Sequence, residues 1–262
     1  MIITQQQQTL AIYAASFSQQ KRAAELSHQL HLPIVDHMDA QDAVYLVCDE
    51  SGIGLSISAL APMKPLQVDF ASDAFSWRRK THGKNQPIAR AIGIKPAYYP
   101  TILDITAGLG RDGFLLAALG CTVTLVERHP LIFTLLNDGL QRALLQPELA
   151  DIMARMHCVQ DDGADYLRAL SPSEQPDVIY LDPMFPTKQK NALVKKDMQV
   201  LHYVLQDEAP AQDLLAVALQ KANKRVVVKR PLHAPFLEGI EPHHTIKTPQ
   251  MRFDVYISQL TR

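Results

Sequence analysis

The stretch Thr101-Ile-Leu-Asp104-Ile-Thr-Ala-Gly108-Leu-Gly110-Arg-Asp-Gly113 decides the fold. It leaves an apolar strand, passes through a glycine turn and opens a helix at Arg111. Glycine lets such a turn tighten and lets a ligand approach the backbone, while the helix start offers unpaired N–H groups. The spacing is G-x-G-x-x-G, the fingerprint of nucleotide-binding turns. A plain strand–helix turn with glycines kept for packing would read the same way. Position favours the first reading, because the turn stands on the first strand of an α/β unit, where open sheets bind their ligands. Gly108 and Gly110 are therefore candidate cofactor contacts.

Outward from this turn the pattern alternates. Apolar runs at 101–105, 122–126, 156–160, 178–181 and 225–229 read as strands. Segments 111–119, 130–145, 163–170 and 207–222 read as helices. Alternation of this kind predicts a parallel sheet with helices on both faces. Two closing runs, 244–248 and 252–259, leave no room for a helix between them and should pair antiparallel. Upstream, strands at 9–15, 43–48 and 53–58 and a helix at 19–30 predict a small α+β unit. The expected organisation is an N-terminal unit over 1–75, a basic connecting segment over 76–97 and the α/β domain over 98–262.

Composition narrows the class. The 262 residues are 47% apolar and 20% charged, as in ordinary globular proteins. Lys plus Arg total 26 against 27 Asp plus Glu, so a uniformly basic nucleic-acid coat is excluded and only local patches remain. Three cysteines with no C-x-x-C pair suggest free thiols in a reducing cytoplasm. No apolar run approaches the roughly 18 residues of a membrane span, and the uncharged N-terminus lacks the basic start of a signal peptide. The ten histidines show no ligand spacing, so no metal is expected.

Two further segments carry chemistry. Glu127 ends the second strand, roughly 20 residues beyond Asp104, where a carboxylate accepts ribose hydroxyls. Arg128 beside it either lies along an adenine or is a surface arginine. Asp162 and Gly163 follow the third strand, placed to reach the adenine edge; Asp162 would equally cap the next helix. The fourth strand runs into Leu181-Asp182-Pro183-Met-Phe185-Pro186. An Asp-Pro-x-Phe turn suits methylation of an exocyclic amine on a base. The lone pair of such an amine is delocalised into the ring. Acceptors around its N–H groups, the Asp182 carboxylate and the Pro183 carbonyl, localise it. Phe185 offers a flat face for stacking, worth roughly 1–3 kcal/mol. The matching electrophile is the sulfonium methyl of S-adenosylmethionine.

Together TAGLGRDGF, VERHP, YLDPMFP, KQKNALVKK, KRVVVKRP and RFDVY resemble the bacterial ribosomal RNA small-subunit methyltransferase J family. The resemblance runs from about Trp77 to Tyr256 and is strongest between Asp104 and Arg230. It implies a Rossmann-like class I methyltransferase sheet and guanine-N2 methylation of 16S rRNA, free or in the small ribosomal subunit. It also implies cofactor contacts at Arg111, Asp112, Glu127, Arg128, Asp162, Gly163 and Asp182. The family has serines where Asp162 and Gly163 stand, so this pair departs from its pattern. Rival readings are adenine-N6 methylation, a nicotinamide-dependent oxidoreductase suggested by the literal G-x-G-x-x-G, and a non-catalytic RNA-binding factor.

Binding RNA at a net charge of −1 requires clustering. The candidates are Arg78, Arg79 and Lys80; Lys188, Lys190, Lys195 and Lys196; and Lys229 with Arg230. The last two groups are expected on the carboxyl rim of the sheet, with Trp77 and Tyr98 adding stacking. The target base must be unpaired or flipped out to meet the methyl group.

Overall fold

The computed structural model describes residues 9–40, 43–72, 86–183, 196–205 and 213–258. Two sheets organise them. The first contains β1 (Thr9–Ala14), β2 (Ile34–Val35), β3 (Ala43–Asp49) and β4 (Gly52–Ile57), in the order β2-β1-β3-β4. Helix α1 (Gln20–Leu30) carries the chain from β1 to β2, which pairs with it in parallel. Strands β3 and β4 form an antiparallel hairpin. Its turn is set by Asp49, whose Oδ1 accepts from the Ser51 and Gly52 amides at 2.8 and 3.1 Å.

Segment 86–97 is not only a connection. Pro87–Ile92 forms α2, with Pro87 in its first turn and Gly93 in the left-handed conformation at its end. Ile88, Ala89, Ala91 and Ile92 are buried, so this half of the expected linker belongs to the core. Proline at the start and glycine at the end are ordinary helix punctuation, outweighed in the sequence by the basic residues around them.

The second sheet follows with β5 (Thr101–Asp104), α3 (Arg111–Ala118), β6 (Thr122–Glu127), α4 (Pro130–Leu144), the short α5 (Ala150–Met153), β7 (Met156–Gln160) and α6 (Gly163–Ala169). Then come β8 (Val178–Leu181), α7 (Lys196–Val204), α8 (Leu214–Lys221), β9 (Arg225–Pro231), β10 (His244–Lys247) and β11 (Met251–Ile257). The order is β10-β11-β9-β8-β5-β6-β7, parallel from β7 to β9, with β11 antiparallel to both β9 and β10. The alternating pattern and terminal hairpin of the sequence are thus realised. Helix α7 was hidden by the basic run preceding it, and α8 is described from Leu214, residues 206–212 lying outside the described set.

Neighbouring strand residues face opposite ways, so each strand feeds two cores. Ile102, Val123, Leu125, Tyr180 and Val227 pack with Phe114 of α3 and Leu135 and Leu136 of α4. Leu103, Val126, Ile179, Leu181 and Val228 pack with Leu167 of α6 and Leu215 of α8. The first of these cores continues into the N-terminal sheet through Ile12, Val44, Leu46, Ile53 and Leu55. The N-terminal unit therefore shares its interior with the α/β sheet. Asp138 on α4 fastens the two. Its side chain is 1% exposed and binds the guanidinium of Arg22 from α1. It also accepts from Arg142 Nε at 2.8 Å and from the Ile53 amide of β4 at 3.0 Å. Arg142 in turn donates to the Val68 carbonyl.

Candidate active site

The chain moves outward from β5 to β6 and β7, then returns to lay β8 on the other side of β5. That reversal is the switch point of an open α/β sheet, where ligands bind at the carboxyl ends of the strands. Register puts Asp104 opposite Tyr180, so the residues that follow each strand meet. The Asp182 amide donates to Thr106 Oγ1 at 2.6 Å, and Asp104 Oδ1 accepts the Thr106 amide at 3.1 Å. Asp104 is buried, and desolvation pushes its carboxyl up to about 8 against the Thr106 hydrogen bond.

Both Gly108 and Gly110 take left-handed backbone, with φ of 54° and 70°. A side chain on Gly110 would strike Leu136 at 2.6 Å, whereas one on Gly108 would meet no protein atom within 4 Å. Gly113 is a packing glycine, since a Cβ there would lie 2.4 Å from Leu125 Cδ2. Glu127 anchors the turn from the neighbouring strand: its carboxylate accepts from the Gly108 and His129 amides, each at 2.8 Å. A carboxylate accepts about four hydrogen bonds, so this anchoring is compatible with receiving two ribose hydroxyls. Arg128 is exposed beside it. Asp162 caps α6, accepting from Ala164 and Asp165 at 2.9 and 3.3 Å. A Cβ on Gly163 would fall 2.7 Å from the Ile105 carbonyl, so glycine lets α6 begin against the glycine turn.

Four polar side chains converge between the turn and β9. Lys229 Nζ donates to Asp112 Oδ2 at 2.7 Å and to Asp182 Oδ2 at 2.8 Å. Tyr180 donates its hydroxyl to the same Asp112 oxygen at 2.7 Å. Burial opposes the charge on Lys229, yet Asp112 and Asp182 hold its pKa above the ordinary lysine value. Burial raises Asp182 and Lys229 pulls against it. Tyr180 is raised by burial and by Asp112. On the far side of the turn, Arg111 forms an ion pair with Asp197 of α7. Tyr180, Thr106 and Asp197 did not stand out in the sequence. Only Tyr180 left a signal there: a hydroxyl inside an all-buried strand needs a partner.

The basic rim needs correction. Lys229 is 20% exposed and committed to two carboxylates, and Arg230 is 5% exposed with its guanidinium on the Pro235 carbonyl at 3.1 Å. Neither is placed to hold phosphate. The strand does not stop at Lys229 but runs to Pro231, and β11 continues the sheet beside it, pairing Phe253 with Lys229 and Arg252 with Arg230. Tyr98 also lies elsewhere. It precedes β5, at the amino end of the sheet, and takes a hydrogen bond from Lys224 at 2.6 Å. Trp77, Arg78, Arg79, Lys80, Phe185, Lys188, Lys190 and Lys195 fall outside the described residues, as does the side chain of Lys196, which opens α7. Among the described residues no three His, Cys, Asp or Glu side chains are grouped to hold a metal, and no helix is long and apolar enough to cross a membrane.

The open space above Gly108, the carboxylate at the end of β6 and the half-open Asp182 suit an adenosyl group carrying a positive sulfonium. With the antiparallel terminal hairpin they define a class I S-adenosylmethionine-dependent methyltransferase. A family model described as "Putative SAM-dependent methyltransferase" matches residues 25–258. The ribosomal RNA small subunit methyltransferase J of Thioalkalivibrio sulfidiphilus is 44% identical over 250 residues, covering 95% of this chain and 98% of that protein. Its namesake in Pseudomonas aeruginosa is 45% identical over 249 residues, 94% of each chain. The crystal structure of a SAM-dependent methyltransferase from Neisseria gonorrhoeae superposes with a TM-score of 0.72 at 35% identity, covering 95% of this chain and 96% of that one. The chain belongs to the ribosomal RNA small subunit methyltransferase J family.

The glycines yield a prediction. Gly108→Ala should fold, at a cost of about 1–2 kcal/mol for its left-handed backbone. Calorimetric titration with S-adenosylhomocysteine should nevertheless show at least about tenfold weaker binding, because the added methyl enters the ligand's space. Unchanged affinity would place the adenosyl group away from this turn.

Proposed function

We propose that this enzyme methylates the exocyclic N2 amine of a guanosine in small-subunit rRNA by direct transfer from S-adenosylmethionine. The observation that carries the reading is Asp182: held by its own amide on Thr106 and by its carboxylate on Lys229, it stands beside the glycine turn with 42% of its side chain exposed. When bound, S-adenosylmethionine supplies an electrophilic methyl carbon on a positive sulfur. Asp182 and the Pro183 carbonyl accept the amine's N–H groups and draw its lone pair out of conjugation. The Asp182 carboxylate, already bonded to the amine's N–H, also takes the proton the amine sheds. No covalent enzyme intermediate is needed, so the chain's work is alignment, with reacting atoms about 3–3.5 Å apart. Glu127 and the backbone at Gly108 orient the adenosyl end.

Stacking by Phe185 and phosphate contacts from Arg78, Arg79, Lys80, Lys188, Lys190, Lys195 and Lys196 complete the proposal, as does a cytoplasmic location with the ribosome. The guanine-N2 reading is favoured over adenine N6 by the family to which the chain belongs. The test compares modified nucleosides in 16S rRNA from cells with and without the gene, by mass spectrometry. Loss of one N2-methylguanosine is expected. Loss of an N6-methyladenosine instead, or no change, would overturn the assignment.

A further inference from the structure

We propose that Lys229 is a positioning residue for methyl transfer, clamping Asp182 to Asp112 so that the Asp182 carboxylate is aimed at the target amine. The inference rests on the function proposed above and deepens it. Three separate elements meet at one ammonium: β9 supplies Lys229, α3 supplies Asp112, and the segment after β8 supplies Asp182, with contacts of 2.7 and 2.8 Å. The Asp182 backbone is fixed by its amide on Thr106, so the direction of its carboxylate is left to Lys229.

The groups facing Asp182 show what the cation does. Asp104 approaches from β5, Asp112 from α3, and Tyr180 from β8 donates to Asp112. From β9 come Lys229 in contact and Arg230 acting at longer range. Removing Lys229 takes away the one ammonium that touches both Asp112 and Asp182. With that cation gone, burial and the neighbouring Asp112 carboxylate act on Asp182 unopposed by Lys229, and its pKa rises. A protonated Asp182 has one oxygen turned into a donor and loses acceptor capacity where the amine needs it. A lysine serving RNA phosphate would behave differently. Its loss would weaken RNA binding across sequences and lower the salt slope by about one.

The experiment uses the full chain with Lys229→Met and Lys229→Arg. Lys229→Met should lower kcat by about 10–100-fold, with KM for rRNA within about twofold and an unchanged salt slope. The acidic limb of its kcat profile should move up by about one pH unit, while Lys229→Arg keeps the parental limb. Lys229→Met combined with Asp182→Asn should be no slower than Asp182→Asn alone, since the lysine acts through that carboxylate. Carboxyl carbon NMR of Asp182, assigned by its loss in Asp182→Asn, should show the same upward shift in the folded protein without substrate. If Lys229→Met fails to fold, Asp112→Asn serves in its place: its slower kcat should again come without a change of KM. An unmoved Asp182 titration, or a KM and salt-slope effect with kcat intact, overturns the proposal. If the parent enzyme methylates no rRNA, the function reading fails, and the NMR titration still decides the role of Lys229.

Discussion

Asp182→Ala should lower methyl transfer to rRNA by on the order of 10²–10³-fold or more while leaving the protein folded. That is the scale lost when one preorganised polar group is removed from a reacting centre. The rate effect follows from the amine's electronics: without a carboxylate on its N–H, the nitrogen attacks from a conjugated ground state. The fold is spared because the structural contact of this residue is its backbone amide on Thr106, which alanine keeps. Lys229 also retains Asp112 as a partner at 2.7 Å, so no buried charge is orphaned. A radiolabelled methyl assay read alongside a melting curve checks both halves. Near-normal turnover would show that Asp182 is not the amine's acceptor. Asp182→Asn, which keeps one acceptor oxygen, should fall between the two.

Asp138→Ala should have the largest effect on stability, about 3–5 kcal/mol. The lost carboxylate is 1% exposed and answers Arg22, Arg142 and the Ile53 amide at once. Removing it leaves two guanidinium groups and a backbone N–H without their shared acceptor. Such a loss should lower the melting temperature by roughly 10 °C in a protein of this size. Arg22→Ala should cost much less, because its side chain is 34% exposed and water replaces the bond. Urea unfolding of both variants checks this. A loss below about 1 kcal/mol for Asp138→Ala would mean that apolar packing alone holds the N-terminal sheet in place.

The parts of this enzyme that repeat a local rule were legible in the sequence. Gly108 and Gly110 announced the turn because only glycine takes left-handed backbone cheaply. Asp162 announced its helix cap, and the spacing of 244–259 announced an antiparallel pair. Readings failed where charge was taken for exposure. Lys229 and Arg230 looked like a basic rim because they stand at the end of an apolar strand, yet Lys229 is bound by Asp112 and Asp182 and Arg230 by the Pro235 carbonyl. The helix of Lys196–Val204 was masked by lysines, and that of Pro87–Ile92 by arginines and lysines on either side.

By itself the sequence determined the alternation of strands and helices, the glycine turn and the Asp-Pro segment, because these depend on backbone conformations and periodicities that each stretch carries locally. The tertiary structure alone decided that β8 returns to lie beside β5, that Lys229 faces two carboxylates rather than solvent, and that the N-terminal sheet shares a core with α3 and α4. Those facts depend on which strands become neighbours. Pairing across long stretches of chain is settled by the burial of whole faces, and no single segment encodes it.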